Sequence, residues 1–226
     1  MATAASPGSL STYLPIVSFT TMTDTLHLNR NQLRREMRHR RRALTPAQQK
    51  QAALSLRSQL LKIPQFLRAK RIAVYLPNDG EIDPSLLIEQ ARKMGKTCYL
   101  PVLQPLVVNR LWFVRYDHQT PMTKNRFGIP EPQIKRFADN ARNRSKAADL
   151  DLVLLPLVAF DEHGGRMGMG GGFYDRTFAF TRQKHSAKPA LIGLAHECQK
   201  VETLPIASWD IPLAGVVTDK ALYLAS

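Results

Sequence analysis

The sequence predicts an α/β fold, a single domain in which helices flank a mostly parallel sheet and a basic helix lies near the N-terminus. Apolar, β-branched segments at residues 71–76, 152–160, 190–195 and 215–218 predict strands, and helix signals fall between several of them. Strands that are separated by helices favour parallel neighbours, because each connection then crosses the sheet. With 226 residues, of which 44% are hydrophobic, the chain is long and apolar enough for one sizeable core.

Two helices are predicted before the first strand. Residues 33–43 carry six arginines and predict a very basic helix, in which residues 38–42 are interpreted mostly as a solvated face. Thr45 and Gln48, with a proline after the threonine, match a capping box. This pattern predicts a second helix that ends near Leu61.

The middle of the chain predicts one more helix and two strands. Asp83, followed by a proline, marks a helix start, and Gly95 marks its end. Residues 97–100 and 111–115 predict strands. Residues 137–148 are polar and lack apolar periodicity, so we expect a loop or a weak helix there.

The first 25 residues differ from the rest of the chain. They are rich in serine and threonine, carry no charge before Asp24 and contain no arginine before Arg30. A secretory signal needs a basic start and a transit peptide needs arginines, so we expect a disordered extension over residues 1–25 and one domain over residues 26–226. Initiation at Met22 and a targeting role for the extension remain alternatives.

Charge and cysteine content narrow the classes of partner and compartment. The 32 basic and 18 acidic residues give a formal charge of +14, which favours anionic partners such as nucleic acid, an anionic membrane surface or polyanionic small molecules. Cys98 and Cys198 are too few for a disulfide framework and predict a reducing cytoplasm, where both act as small hydrophobes. No apolar stretch is long enough to span a bilayer, and we expect no membrane partner.

A glycine-rich run at residues 161–176 is the strongest chemical signal. It follows the predicted strand 152–160 and precedes a helix-capable segment, an order that lets backbone N–H groups converge on a phosphate. The run lacks the Gly-Lys-Ser/Thr ending of a Walker A loop, and Phe173 replaces the third glycine of a dinucleotide fingerprint. A flexible turn between strand and helix is the alternative interpretation.

Residues 165–176, Gly-Arg-Met-Gly-Met-Gly-Gly-Gly-Phe-Tyr-Asp-Arg, resemble the signature of the 5-formyltetrahydrofolate cyclo-ligase family, also called 5,10-methenyltetrahydrofolate synthetases. The resemblance extends over roughly residues 30–222, and Gly171 is typical of the bacterial branch because other members have lysine there. Further matching segments follow in order at residues 30–34, 40–45, 75–83, 127–132, 195–199, 209–213 and 217–218.

The resemblance implies an ATP- and Mg²⁺-dependent ring closure that converts 5-formyltetrahydrofolate into 5,10-methenyltetrahydrofolate and releases ADP and phosphate. In this reaction ATP phosphorylates the formyl oxygen and N10 then attacks the activated carbon. The implied partners are ATP and a reduced folate, which can be polyglutamylated, and both are polyanions that suit the basic chain. We expect a cytoplasmic monomer without a specific nucleic-acid partner.

The resemblance also implies roles for particular residues, although it assigns no catalytic residue. The expected ATP-binding residues are Arg30, Arg34, Arg166, Gly168, Gly170, Gly171, Gly172 and Tyr174. The expected folate-binding residues are Leu76, Glu81 and Tyr174, and the expected Mg²⁺ carboxylates are Asp175 and Asp210.

Several of these residues have a structural alternative. Asp210 suits a turn, Glu81 suits a solvated loop and Leu76 suits the core. We interpret His196 as structural, since a histidine at a strand end is more often so than a base. A nucleic-acid-binding protein is the rival class, although the basic helix lacks the aromatic residues that RNA-binding modules interleave with basic ones. A different ATP-using ligase or kinase is a second enzyme hypothesis.

Overall fold

A computed structural model describes residues 22–134, 143–182, 189–204 and 207–224, with side chains from Arg30 onward. The α-helices in these ranges are α1 (Met22–Arg42), α2 (Pro46–Leu60), α3 (Pro64–Arg68), α4 (Ser85–Lys93) and α5 (Phe173–Thr177). The strands are β1 (Arg71–Ala73), β2 (Thr97–Leu103), β3 (Leu111–Tyr116), β4 (Met122–Lys124), β5 (Pro130–Pro132), β6 (Arg144–Ser145), β7 (Leu152–Pro156), β8 (Ala159–Phe160), β9 (Arg166–Met167), β10 (Ala190–Leu194), β11 (Gly215–Val217) and β12 (Leu222–Leu224). Short 3₁₀ helices cover Ala147–Asp149, Ala179–Arg182 and Glu197–Gln199.

The main sheet has eight strands in the order β12-β11-β10-β7-β1-β2-β3-β6. Its five central strands, from β2 to β11, are parallel, while β12 at one edge and β3 and β6 at the other are antiparallel. The crossing helix α4 explains the parallel pair β1–β2, whereas β2 and β3 follow each other directly and can pair only as a hairpin. The predicted α/β fold with a mostly parallel sheet is therefore confirmed.

Apolar layers cover both faces of the sheet. One layer packs helices α2 to α4 against the sheet through residues such as Leu56, Phe66 and Leu87. The opposite layer contains Phe113 and Phe178, whose rings lie 5.6 Å apart. The three leucines and one valine at the start of β7, residues 152–155, are all buried, as expected for a central strand that is covered on both faces.

The predicted strand over residues 152–160 is divided in the structure. Strand β7 ends at Pro156, and β8 leaves the main sheet to pair with β9 in a separate hairpin. The buried Asp161 closes this hairpin, because its carboxylate accepts the backbone N–H groups of His163, Gly165 and Leu204 at 2.7–3.0 Å. The glycine-rich run is consequently two units, a hairpin turn at residues 164–165 and a loop at residues 168–172 that follows β9.

The helix starts agree with the sequence except at the N-terminus. Thr45 and Gln48 form the predicted capping box of α2, and the Asp83 carboxylate accepts the N–H of Ser85 at 2.8 Å where α4 begins. Helix α1 begins at Met22 instead of residue 33, so residues 22–25 of the predicted extension are helical. Residues 1–21 and 135–142 lie outside the described residues, and the predictions made for them remain predictions.

Candidate functional site

A cavity of about 1010 Å³ lies beyond the carboxyl ends of β1 and β7, the edge at which open α/β sheets bind ligands. Helix α1, the segment after β1, the β2–β3 hairpin, the β4–β5 hairpin and the loop after β9 form its walls. All of the site residues expected from the sequence line this cavity: Arg30, Arg34, Leu76, Glu81, Arg166, Gly168, Gly170, Gly171, Gly172, Tyr174, Asp175 and Asp210. Their roles remain predictions, but segments as distant as residues 30 and 210 meet in one place.

The loop at residues 168–172, which we call the glycine loop, needs glycine for two physical reasons. Gly170 and Gly172 have φ angles of +95° and +64°, which residues with a side chain rarely adopt. Gly171 has an ordinary φ, but a Cβ there would lie 2.7 Å from the ring of Phe173. The Arg34 Nε donates to the Gly168 carbonyl at 2.9 Å, so helix α1 holds one end of the loop.

The arginines and aspartates of the cavity form two ion pairs. Arg30 Nη1 lies 3.3 Å from Asp210 Oδ2, and Arg166 Nη2 donates to Asp175 Oδ1. Arg30 and Arg166 are buried, and Arg166 Nε also donates to the Ile211 carbonyl at 2.9 Å. Two of the arginines expected to bind phosphate thus pair with the two aspartates expected to bind Mg²⁺.

Asp210 combines the two interpretations that the sequence left open. Its carboxylate accepts the backbone N–H of Ala207 at 2.9 Å, which is the bond of a turn residue. The same oxygen contacts Arg30 and faces the cavity. The turn therefore orients a carboxylate that lines the cavity.

The two aspartates fit Mg²⁺ only as part of a shared coordination sphere. The described residues contain no cluster of three or more His, Cys, Asp or Glu side chains that would hold a metal by itself. Mg²⁺ usually binds one or two carboxylates, with waters and substrate phosphate oxygens completing its shell. Asp175 and Asp210 can supply those carboxylates if a phosphate supplies the rest.

Glu81 lies in the loop after β1 and lines the cavity. Its carboxylate accepts the backbone N–H of Asn78 at 3.1 Å and lies 3.8 Å from Nη2 of Arg41. Burial raises the pKa of Glu81 to about 7, although the positive charge of Arg41 and the Asn78 hydrogen bond act in the lowering direction. Glu81 is thus no solvated loop carboxylate, and its charge changes near neutral pH.

Three arginines of α1 converge on Asp79, and the interpretation of residues 38–42 as mostly a solvated face is wrong for Arg41. Arg41 is fully buried and donates to both the carbonyl and the carboxylate of Asp79 at 2.8 Å. Arg38 and Arg42 donate to the same carboxylate. Burial raises the pKa of Asp79, but these three arginines outweigh it and lower the pKa to about 2. His39, Arg40 and Arg42 are exposed, as the solvated interpretation expects, and Arg40 pairs with the exposed Glu36.

Asp79 itself has an unusual backbone. Its φ of +55° is uncommon for a residue other than glycine, and Gly80 follows at +75°. The space beside Gly80 is small, because a Cβ there would lie 3.2 Å from the Arg41 carbonyl oxygen. The end of α1 and the loop that carries Glu81 are therefore fitted closely to each other.

Apolar and aromatic side chains complete the cavity. Tyr174 stacks on Phe178, with ring centroids 6.4 Å apart, and burial raises its pKa. Phe173 makes an edge contact with Phe127 at 6.0 Å. Leu76 packs partly against the core and also lines the cavity, so both of its interpretations apply.

His196 and the two cysteines, which the sequence analysis interpreted as structural, do not line the cavity. His196 is buried, its Nε2 has no hydrogen-bond partner among the described residues, and burial lowers its pKa, as expected of a neutral structural histidine. Phe113 and Cys98 belong to the core, whereas Cys198 is only half-buried. Trp112 is also half-buried and stacks against the Arg144 guanidinium at 4.2 Å.

The sequence analysis missed several residues that line the cavity. Asp79 and Arg41 had no local signal, because 38 positions separate them and an arginine-rich helix is usually solvated. Trp209 and Met169, both half-exposed, line the cavity as well. Among the helices that the structure describes, none has the length and apolar character needed to cross a membrane.

Comparison with known proteins gives the same family from sequence and from structure. Residues 27–219 match the sequence pattern of the 5-formyltetrahydrofolate cyclo-ligase family. The chain is 43% identical to the 5-formyltetrahydrofolate cyclo-ligase of Escherichia coli K12, over 83% of this chain and 98% of that one, and 44% identical to the Haemophilus influenzae enzyme, over 83% and 96%.

A solved structure extends the agreement to the fold. The NMR structure of Aquifex aeolicus 5,10-methenyltetrahydrofolate synthetase superposes with a TM-score of 0.71 at 30% identity, over 86% of this chain and 92% of that one. The family pattern spans well over half of the chain, and both of these curated relatives are bacterial enzymes. The chain therefore belongs to the 5-formyltetrahydrofolate cyclo-ligase family and groups with its bacterial members.

Proposed function

We propose that this enzyme closes the ring of 5-formyltetrahydrofolate at the expense of ATP, with Mg²⁺ bound between the triphosphate and the protein. The observation that carries the proposal is the convergence of phosphate-binding, Mg²⁺-binding and folate-binding candidates on one cavity of about 1010 Å³. That volume is at the upper end of the range for small-molecule sites, so two substrates can lie side by side.

The chemistry explains why both substrates must share a cavity. An N-formyl oxygen is a poor leaving group, and its attack on the γ-phosphorus of ATP forms a formyl phosphate bond while ADP leaves. The N10 lone pair then attacks the formyl carbon, N10 loses its proton, and inorganic phosphate departs with the former formyl oxygen. Such phosphoryl transfer asks the protein mainly for positioning and for charge neutralisation.

The phosphate side consists of the glycine loop and three arginines. We place the triphosphate against the backbone of Gly168 to Gly172, between Arg34 on one side and Arg30 and Arg166 on the other. Arg30 and Arg166 are held in position by Asp210 and Asp175, so their guanidinium groups are oriented before ATP arrives. Preorganised cations of this kind stabilise the charge that develops on a transferring phosphoryl group.

The same two aspartates are the proposed Mg²⁺ ligands. A bound Mg²⁺ would neutralise phosphate charge and orient the triphosphate. Asp175 and Asp210 would then exchange an arginine for the metal, while the arginines turn to phosphate oxygens. This exchange keeps each buried charge compensated before and after binding.

The folate side consists of Glu81, Leu76 and Tyr174. We place the pterin ring against Leu76 and Tyr174, with its N–H groups donating to the Glu81 carboxylate. A pKa near 7 means that the carboxylate is only partly ionised without substrate, and donation from a pterin favours the ionised form. Tyr174, next to Asp175 in the chain, is placed where both substrates can contact it.

The arginine run no longer favours nucleic acid as the partner. Arg38, Arg41 and Arg42 bind Asp79 within the protein, so three of the charges that suggested a polyanion surface have an intramolecular partner. We propose ATP and a reduced folate as the partners of a monomer that works in a reducing cytoplasm, in keeping with two cysteines that form no disulfide.

The test is a turnover assay with purified protein, Mg·ATP and 5-formyltetrahydrofolate. We expect the near-ultraviolet absorbance of the methenyl product to rise in step with ADP release, and to stop when ATP or Mg²⁺ is omitted. ADP release without the methenyl product would favour a different ATP-using ligase or kinase. Tight RNA binding that persists at high salt, with no turnover, would favour the nucleic-acid class.

A further inference from the structure

Arg41 occupies an unusual place for a charged side chain. Its side chain has no exposed surface, and its guanidinium donates to three acceptors on two separate chain segments. Nε donates to the Asp79 carbonyl at 2.8 Å, Nη1 donates to the Leu157 carbonyl at 3.1 Å, and Nη2 contacts the Asp79 carboxylate at 2.8 Å. A buried guanidinium with this many partners is costly to replace, because each partner would lose its donor.

The same guanidinium reaches the cavity. Arg41 Nη2 lies 3.8 Å from Glu81 Oε1, and both side chains line the cavity. The separation is too long for a hydrogen bond but short enough for a strong charge interaction in a site shielded from water. Arg41 is therefore the point at which helix α1 contacts the proposed folate side.

Resting on the function proposed above, we propose that Arg41 is a positioning residue for Glu81. Through Asp79 it fixes the loop at residues 78–81, and its charge favours the ionised Glu81 carboxylate that a pterin requires. Asp79 has the opposite electrostatic effect, since its negative charge lies next to Glu81 in the same loop. Arg41 and Asp79 thus act on the Glu81 carboxyl in opposite directions, because Arg41 favours its ionisation and Asp79 opposes it.

Other groups also face Glu81. Tyr75 from the segment after β1 and Tyr174 from α5 interact electrostatically with it, and burial raises the pKa of both phenols, so both stay neutral at physiological pH. Among the described residues, the charged groups that act on the Glu81 carboxyl are Arg41 and Asp79. A change in either one should move the titration of Glu81 in a predictable direction.

The experiment follows the Glu81 side-chain carboxyl carbon by NMR in glutamate-labelled protein, with Glu81→Gln identifying the signal. The wild-type midpoint is expected at about pH 7. Arg41→Gln should raise the midpoint by about one pH unit, and Asp79→Asn should lower it. Arg40→Gln, which changes an exposed arginine of the same helix, should leave it unchanged.

A merely structural role would not separate these variants. Midpoints that stay at the wild-type value in both Arg41→Gln and Asp79→Asn, or that move in the same direction, would overturn the proposal. If Arg41→Gln does not fold, Arg41→Lys takes its place, since the shorter lysine holds its charge farther from Glu81 and should raise the midpoint by a smaller amount. An unchanged midpoint in Arg41→Lys would then overturn the proposal equally.

Folate affinity measured without ATP connects the titration to the ligand. At about pH 7, Arg41→Gln should bind 5-formyltetrahydrofolate about fivefold more weakly than wild type, and the deficit should become smaller at about pH 9, where Glu81 is ionised in both. A deficit of equal size at both pH values would contradict the proposal. Wild-type affinity in Glu81→Gln would remove Glu81 from the folate site, a failure of the proposed function that the carboxyl titration distinguishes from a failure of Arg41.

Discussion

The two ends of helix α1 use the same residue type in opposite ways. Near its start, Arg30 and Arg34 line the cavity, and each reaches one acceptor of another segment, Asp210 and the Gly168 carbonyl. Near its end, Arg38, Arg41 and Arg42 converge on the single carboxylate of Asp79. In the proposed function, the start of the helix exchanges its partners for a ligand, whereas the end of the helix keeps them.

The difference follows from burial and from the number of partners. Three arginines contact the single negative charge of Asp79, and the pKa of Asp79 falls to about 2 even though burial alone would raise it. Asp210 has one arginine and a turn hydrogen bond. A carboxylate with a single cationic partner can replace that partner with Mg²⁺ more readily than one with three can. Variants at each end should therefore fail differently, at the start in ligand binding and at the end in folding.

The largest effect is expected where the proposed Mg²⁺ carboxylate meets the glycine loop. Asp175→Asn should lower turnover by about 10²- to 10³-fold and should raise the Mg²⁺ concentration needed for ATP binding. The melting temperature should fall as well, because Arg166 loses its ionic partner. The control is Asp149→Asn, an exposed aspartate outside the cavity. Near-normal turnover of folded Asp175→Asn at saturating Mg·ATP would remove Asp175 from the metal site.

The next effect concerns the end of α1. Arg41→Gln should lower the free energy of unfolding by about 3 kcal/mol, because it removes a fully buried cation from hydrogen-bonded partners. Arg40→Gln should change it by less than about 0.5 kcal/mol, since its pair with Glu36 is exposed. Urea unfolding measures both. Equal losses in the two variants would mean that burial does not distinguish them.

The arginines at the start of α1 should give a loss of affinity instead. Arg34→Gln should weaken ATP binding by about 10- to 100-fold, as expected for one charge-assisted contact to phosphate. Arg35→Gln, an exposed neighbour on the same helix, should bind ATP as the wild type does. Calorimetry with Mg·ATP provides the comparison, and unfolding experiments should give similar stabilities for both. Unchanged affinity in Arg34→Gln would mean that Arg34 holds the glycine loop and does not contact phosphate.

A glycine substitution tests whether the loop binds phosphate. Gly170→Val should weaken ATP binding by about tenfold, because Gly170 has a φ of +95° and a Cβ there would lie 3.5 Å from Cζ of Arg34. Folate affinity should change little. Gly164→Val is the matched control, because Gly164 also has a positive φ of +87° but does not line the cavity. If both variants lose ATP affinity equally, the loss reflects backbone strain and not contact with phosphate.

The parts of the molecule that sequence predicts well are those fixed by neighbours along the chain. The capping box of α2 and the buried strand β7 are examples, since each depends on residues within a few positions. The glycine loop belongs to the same group, and its expected residues all line the cavity.

Contacts between distant segments explain what the sequence did not predict. Arg41 is buried because Asp79 lies against it, 38 positions later, and no pattern in an arginine-rich helix predicts such a partner. The division of the strand at residues 152–160 depends likewise on Asp161, which accepts the N–H of Leu204. In both cases a single carboxylate decides the local structure through partners that are far away in sequence.

The most direct test of the central claim follows the formyl oxygen itself. 5-Formyltetrahydrofolate carrying a heavy-oxygen label in the formyl group is turned over with Mg·ATP, and the released inorganic phosphate is analysed by mass spectrometry. If one cavity brings the formyl oxygen to the γ-phosphorus, every phosphate released with product carries one labelled oxygen. Unlabelled phosphate, formed in step with the methenyl product, would show that ATP is hydrolysed by water and would contradict the account.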